Sequence, residues 1–255
     1  MKEAYESLRK NPANHVPLTP LSFLHRTADI YGEREAIIYV ERRYSWRQLR
    51  ERCLSMASSL TELGVGLGDT VSVLAFNTPE LFEAHFSVPM TGAVLNTINT
   101  RLDTETVAYI LKFGQVKALI VDRELLPLAQ KALQDEQIKL KIILIDDDSA
   151  EVKPSVELEV LEYEELINSG DPQFTCPPLQ DEWQALSLNY TSGTTGRPKG
   201  VVYHHRGSYL MSMGTVTAWE LPHHPRYLYS VPMFHCNGCN VNNVLAQPHR
   251  SREGS

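Results

Sequence analysis

The chain is 255 residues long, 42% hydrophobic and 22% charged, with a formal net charge of −7; this composition suits a globular protein with a sizeable core, in one large domain or two small ones, and its apolar runs are too short for a membrane span. The charge is unevenly spread, net +3 over residues 1–52, −14 over 53–190 and +4 over 191–255, so the acidic body excludes bulk nucleic-acid binding, which needs a wide basic face. Four cysteines make no disulfide framework, and residues 1–14 hold no apolar stretch of the secretory kind, so a reducing, cytoplasmic setting is expected.

The predicted elements alternate helix and strand. Residues 21–31 read as a helix with Thr19 or Ser22 near its start. Two short strands follow around a turn, at 36–40 and 43–46. Ser45 then caps a long helix over 46–63, whose Leu49, Cys53, Met56, Ala57 and Leu60 form an apolar stripe at helical spacing. Residues 71–76 read as a buried strand, Pro79 opens a helix over 80–90, and Asp103 leads into a helix over 104–113. A strand at 118–121, a helix at 124–134 and a strand at 142–145 continue the βα pattern. Such a run implies an α/β fold, a mostly parallel sheet with helices on both faces. The polar stretch 169–178, rich in proline and glycine, is the expected boundary. It separates a first α/β subdomain (1–180) from the start of a second (181–238), with a divergent, polar tail over 239–255. Strands at 185–190 and 200–204, a helix at 206–219 and a strand at 226–231 fill the second part.

One segment carries most of the chemistry: Tyr190-Thr-Ser-Gly-Thr-Thr-Gly-Arg-Pro-Lys199-Gly200. The hydroxyls of Thr191, Ser192, Thr194 and Thr195 supply donors. Gly193 and Gly196 free the backbone to turn amides toward one ligand. Lys199 adds a point charge suited to phosphate oxygens. The ordinary nucleotide P-loop is excluded, because that motif needs Gly-Lys-Ser/Thr followed by a helix, whereas here Gly196 precedes Arg197 and a strand follows. A plain polar hairpin has a similar composition; the lysine at a fixed offset and the apolar strands on both sides favour phosphate.

This segment resembles the signature phosphate loop of the adenylate-forming superfamily, which includes acyl-CoA synthetases, 4-coumarate–CoA ligases and luciferases. Leu18-Thr-Pro-Leu-Ser-Phe-Leu and Tyr44-Ser-Trp-Arg-Gln-Leu resemble that family's start. Asn96-Thr-Ile-Asn-Thr-Arg-Leu is similar to a stretch typical of it, and Val231-Pro-Met-Phe-His-Cys-Asn-Gly238 resembles its next motif. Together they look most like the plant peroxisomal acyl-activating enzymes. The resemblance implies a flavodoxin-like sheet, the N-terminal part of the large adenylating domain, with its second subdomain incomplete. It also implies an AMP-forming acid–CoA ligase. Its co-substrates are ATP, CoA and a small carboxylic acid, and Mg²⁺ helps to neutralise the triphosphate. By carry-over, Thr191, Ser192, Thr194, Thr195 and Lys199 hold the β- and γ-phosphates, Gly193 and Gly196 shape the loop, and His235 lines the junction of acyl pocket and phosphate. No protein-held metal is expected.

The family's adenine-binding Tyr-Gly-x-Thr-Glu motif, its Thr-Gly-Asp segment and a Ser-Lys-Leu-like terminus are not found in these residues. The expectation is a truncated, inactive product, cytoplasmic where full-length relatives are peroxisomal, with an open strand edge and an exposed apolar face. The alternative is a non-catalytic module that associates with itself or with a full-length homologue through that face. Cys236-Asn-Gly-Cys239 after His235 forms only part of a metal or redox site. Asp146-Asp-Asp148 reads as a solvated loop rather than a Mg²⁺ site. His204-His205 and His223-His224 read as surface or loop-lining residues, with His204 and Arg206 adding charge near the phosphate loop. Trp46 and Trp183 read as packing residues.

Overall fold

The computed structural model describes residues 7–155, 158–191, 196–222 and 224–235 in full, and 245–248 by backbone alone. Helix α1 (Leu21–Tyr31) leads into an antiparallel pair, β1 (Glu35–Tyr39) and β2 (Arg42–Ser45). Ser45 caps α2 (Trp46–Glu62) as expected. Its hydroxyl accepts from the Gln48 amide while the Gln48 side chain accepts from the Ser45 amide, a reciprocal capping box. Strand β3 (Thr70–Leu74) is followed by α3 (Pro79–Met90), capped by the Thr78 hydroxyl and opened by proline. Every residue of α3 is buried. Next come β4 (Val94–Thr97), α4 (Thr104–Phe113) capped by Asp103, β5 (Val116–Asp122), α5 (Leu126–Asp135) and β6 (Lys141–Ile145). A short β7 (Leu161–Glu162) and α6 (Tyr163–Ser169) close the first run.

The large sheet has the order β7-β6-β5-β3-β4-β8-β9, with β8 (Ala185–Thr191) and β9 (Lys199–His204) as an antiparallel hairpin and every other pair parallel. Strands β3 to β7 follow the flavodoxin order, and the hairpin extends it beyond β4. The 169–178 connection thus leads into a strand of the same sheet. Alternate side chains feed two cores: Val71, Val73, Leu95 and Ile120 on one face with α2 and α3, and Leu119, Val121 and Leu144 on the other with α4 and α5. A smaller sheet, β10-β11-β1-β2, joins β10 (Arg226–Tyr229) and β11 (Leu245–Pro248) to the first hairpin. Helix α7 (His205–Ala218) follows β9. No helix among the described residues is long and apolar enough to cross a membrane.

Four elements escape the sequence pattern: β4, β7, α6 and β11. Strand β4 contains Asn96, which reads as polar, yet it is buried because its side chain bonds Ser72 Oγ and the Leu188 carbonyl, both at 2.8 Å. Within the divergent, polar tail, Leu245–Pro248 pairs in parallel with both β1 and β10. The acidic loop is also not uniformly solvated. Asp148 is exposed, but Asp147 is buried. It accepts a 2.5 Å hydrogen bond from the Tyr39 hydroxyl and bonds from Ser149. Trp46 is core, whereas Trp183 lies exposed with its ring 4.3 Å from that of His204.

A buried polar knot ties α2, α3 and α6. Glu83 is fully buried and takes two bonds from Arg52 (2.5 and 3.2 Å) and one from the Tyr163 hydroxyl (2.9 Å). Arg52 also reaches Glu164 at 2.6 Å. Burial pushes the Glu83 carboxyl up, to about 7, against the pull of Arg52.

Candidate polyphosphate-binding site

Strands β3, β4 and β8 run parallel, so Leu74, Thr97 and Thr191 all end at one edge of the sheet. Open α/β sheets present ligand sites outside the carboxyl ends of their strands. The glycine- and hydroxyl-rich loop leaves from that edge. Thr191 and Lys199 face each other as the last register pair of the hairpin, so they form its neck. Both are exposed, as is Gly196. Gly196 has φ +139°, and a Cβ there would meet nothing within 4 Å, so the backbone conformation alone demands glycine. Ser192, Gly193, Thr194 and Thr195 lie outside the described residues.

His235 reaches the same edge by another route. Asn77, just past β3, donates to the Val231 carbonyl (2.9 Å) and accepts from the Met233 amide (2.8 Å). Thr97, the last residue of β4, donates to the Phe234 carbonyl at 2.8 Å. The His235 amide closes a turn on the Pro232 carbonyl. Two strand ends therefore hold the segment that carries His235. Asn77 and Thr97 are not among the residues picked from the sequence. The available signal is a buried polar side chain at the carboxyl end of a parallel strand, and Thr97 does fall in the Asn96–Leu102 motif.

The structure corrects two expectations about charge near the loop. His204 ends β9, five residues or about 17 Å from Lys199 at ordinary strand rise, and Arg206 lies beyond it in the first turn of α7. His204 caps α7 by accepting from the Gly207 amide (2.8 Å), and Arg206 is paired with Glu182 at 2.5 Å. His205 is buried rather than superficial, with its Nδ1 2.8 Å from the Thr19 hydroxyl. Burial, with His204 adding to it, lowers its pKa to about 4. His224 packs edge-on against Tyr31 of α1. His223 and the Cys236–Cys239 pair lie outside the described residues.

A groove of about 900 Å³ runs beside the loop, lined by Tyr109, Lys112, Phe113, Glu136, Gly196, Arg197 and Pro198. It opens on the α4 side of the sheet, where Tyr190 packs. Met233, next to the His235 turn, packs on the opposite face. Gly196, Arg197 and Pro198, at the base of the loop, form part of its wall. No group of three or more His, Cys, Asp or Glu suited to a metal occurs among the described residues.

A flavodoxin-like sheet that carries a glycine- and hydroxyl-rich hairpin with a lysine at its exit is the build of an adenylate-forming ligase's N-terminal domain. The AMP-binding enzyme family matches residues 24–247, and the chain belongs to that family. The match runs past Gly238, where sequence reasoning ended the resemblance. An acetate–CoA ligase of Humulus lupulus is 44% identical over 243 residues, covering 91% of this chain and 43% of the relative. A peroxisomal trans-cinnamate:CoA ligase of Petunia hybrida is 46% identical over 246 residues, with the same coverage of 91% and 43%. The chain thus spans less than half the length of these curated relatives. Among solved structures, an anthranilate CoA ligase in complex with anthranoyl-AMP superposes with a TM-score of 0.81 at 23% identity, over 96% of this chain and 48% of that one. That likeness concerns the fold.

Proposed function

We propose that these residues supply the phosphate grip and part of the acyl side of an AMP-forming acid–CoA ligase. In that reaction a carboxylate oxygen attacks the α-phosphorus of ATP, the bond from that phosphorus to the β-bridging oxygen breaks, and acyl-AMP and pyrophosphate result. The CoA thiolate then attacks the acyl carbon, and AMP leaves with the electron pair of the broken C–O bond. The demand on the protein is to neutralise and orient the departing polyphosphate. Loop amides and the hydroxyls of Thr191, Ser192, Thr194 and Thr195 donate to its oxygens, Lys199 places a cation on them, and Gly193 and Gly196 permit the curvature. His235 lines the place where carboxylate meets α-phosphate. Mg²⁺, when bound with the nucleotide, supplies further charge neutralisation.

The observation that carries this reading is the opposition of Thr191 and Lys199 at the sheet edge to which Asn77 and Thr97 fasten the His235 segment. The relatives named for acetate, cinnamate and benzoate support a short or aromatic carboxylic acid as substrate, and several of those names support a peroxisomal setting for longer forms. The 255 residues alone are proposed to bind triphosphate without completing adenylation. Pyrophosphate titration together with pyrophosphate exchange over a panel of carboxylic acids tests both parts. Binding without exchange is expected. Robust exchange overturns the inactivity, and absence of binding overturns the loop assignment.

A second reading has support in the exposed Val202, Met211, Leu228 and Val231. In it the chain pairs, without catalysis, with itself or with a longer relative through such exposed apolar side chains. Co-purification with a full-length ligase supports it; a strictly monomeric, stable chain that ignores such a ligase removes it.

A further inference from the structure

Tyr190 and Arg197 stand on the two limbs of the hairpin loop, and both rest on one side chain of α4. The Arg197 guanidinium carbon lies 5.4 Å from the centroid of the Tyr109 ring. The Tyr190 ring meets Tyr109 edge-on, 6.5 Å away at 79°. Phe113, one helical turn further on, backs Tyr109 in a stack at 5.3 Å and 16°. The Tyr190 hydroxyl is buried without a hydrogen-bond partner among the described residues, and its ring packs against Tyr109. Gly114 and Gly200 lie beside it: a Cβ on Gly114 would sit 3.4 Å from the hydroxyl, and one on Gly200 3.6 Å from the ring, both ordinary contact distances.

We propose that Tyr109 is a positioning residue that clamps both limbs of the loop and holds Arg197 as a strut against α4, leaving Lys199 as the cation offered to polyphosphate. The proposal deepens the ligase reading and rests on it for the ligand, but not for the clamp. A guanidinium over an aromatic face is attracted by the ring quadrupole even at an exposed site. That contact and the edge-on Tyr190 ring, both on Tyr109, pre-order the two limbs before any anion arrives, which reduces the ordering cost of binding.

The test uses the full chain and two readouts. In ligand-free protein, Tyr109→Ala is expected to speed backbone hydrogen exchange in the peptide spanning residues 187–203 by about three- to fivefold, the scale of one exposed cation–π contact. Tyr109→Phe, which keeps the ring face, restores the slow exchange, and the amides of β3 and β5 stay unchanged. Pyrophosphate affinity falls by a similar factor in Tyr109→Ala and in Arg197→Gln, and the double variant loses no more than either single one. Unchanged exchange in Tyr109→Ala overturns the clamp. Additive losses of affinity overturn the strut, because Arg197 would then touch the anion independently. Accelerated exchange in a protein that binds no pyrophosphate supports the clamp and removes the polyphosphate reading.

Discussion

The two sides of strand β4 are built on different terms. On one side, β3 is buried along its whole length, α3 exposes nothing, and the helices are capped by Ser45, Thr78 and Asp103. On the other, the first four residues of β9 are exposed, and α7 leaves Leu210, Met211 and Met213 in the open. The second side is fastened by a few named contacts. Among them are Thr19 to His205, Glu182 to Arg206 and the Leu18 amide, Asn96 to the Leu188 carbonyl, Asn77 to the 231–233 backbone and Thr97 to the Phe234 carbonyl. The contrast separates two jobs. The closed half sets the sheet; the lightly fastened half carries the loop and the His235 turn to its edge, the proposed place of the polyphosphate.

The largest expected effect breaks the closed half. Glu83→Ala strands the Arg52 charge with only a partly exposed Glu164 and orphans the Tyr163 hydroxyl. It should cost about 3–5 kcal/mol in urea unfolding. A loss no larger than that of a surface substitution would mean the knot is ornamental to stability.

Next comes a proton-linked test of the open half. Burial holds the folded pKa of His205 near 4, below the ordinary 6.5, so the folded state favours the neutral ring. The associated stability is present above about pH 6.5 and is lost as pH falls through about 4, on the order of 2–3 kcal/mol. Glu83, held at about 7, contributes with the opposite sign over the same range, so the slope is read as the difference between unfolding curves of the chain and of His205→Gln from about pH 7 to 4, which should narrow as pH falls.

Asn77→Ala should cost about 1–3 kcal/mol, the penalty for unpairing buried backbone groups. Its signature is local: hydrogen exchange rises over residues 229–235, and the amides of β5 keep their protection. A uniform rise would show that the two halves unfold together.

The smallest effect sharpens the contrast directly. Val202→Thr, on an exposed strand position, should change stability by no more than about 0.5 kcal/mol. The same exchange at fully buried Val73 should cost about 1–3 kcal/mol for the buried hydroxyl.

The closed half was largely legible in the sequence. Capping residues precede α2, α3 and α4, α2 has its apolar stripe at helical spacing, and α1 and α4 begin and end where the pattern places them. What escaped depends on partners distant in the chain. Asn96 reads as a strand breaker until Ser72 and Leu188 satisfy it, and the brevity of β7 leaves no period to read. The loop motif itself was legible because its glycines, hydroxyls and lysine are contiguous. Asn77 and Thr97 were not, since their role is to bond backbone more than a hundred residues away. His205 was misjudged because nothing local shows that Thr19 and the core lie over it.

The central claim is that the neck formed by Thr191 and Lys199 presents a loop for polyphosphate. Calorimetric titration of inorganic pyrophosphate into the chain and into Lys199→Ala tests it most directly, with unfolding curves to establish that both are folded. The account predicts binding by the chain and a loss of about ten- to a hundredfold in the variant, the scale of a hydrogen bond to a charged group. Equal affinity in the two proteins, or none in either, would contradict it.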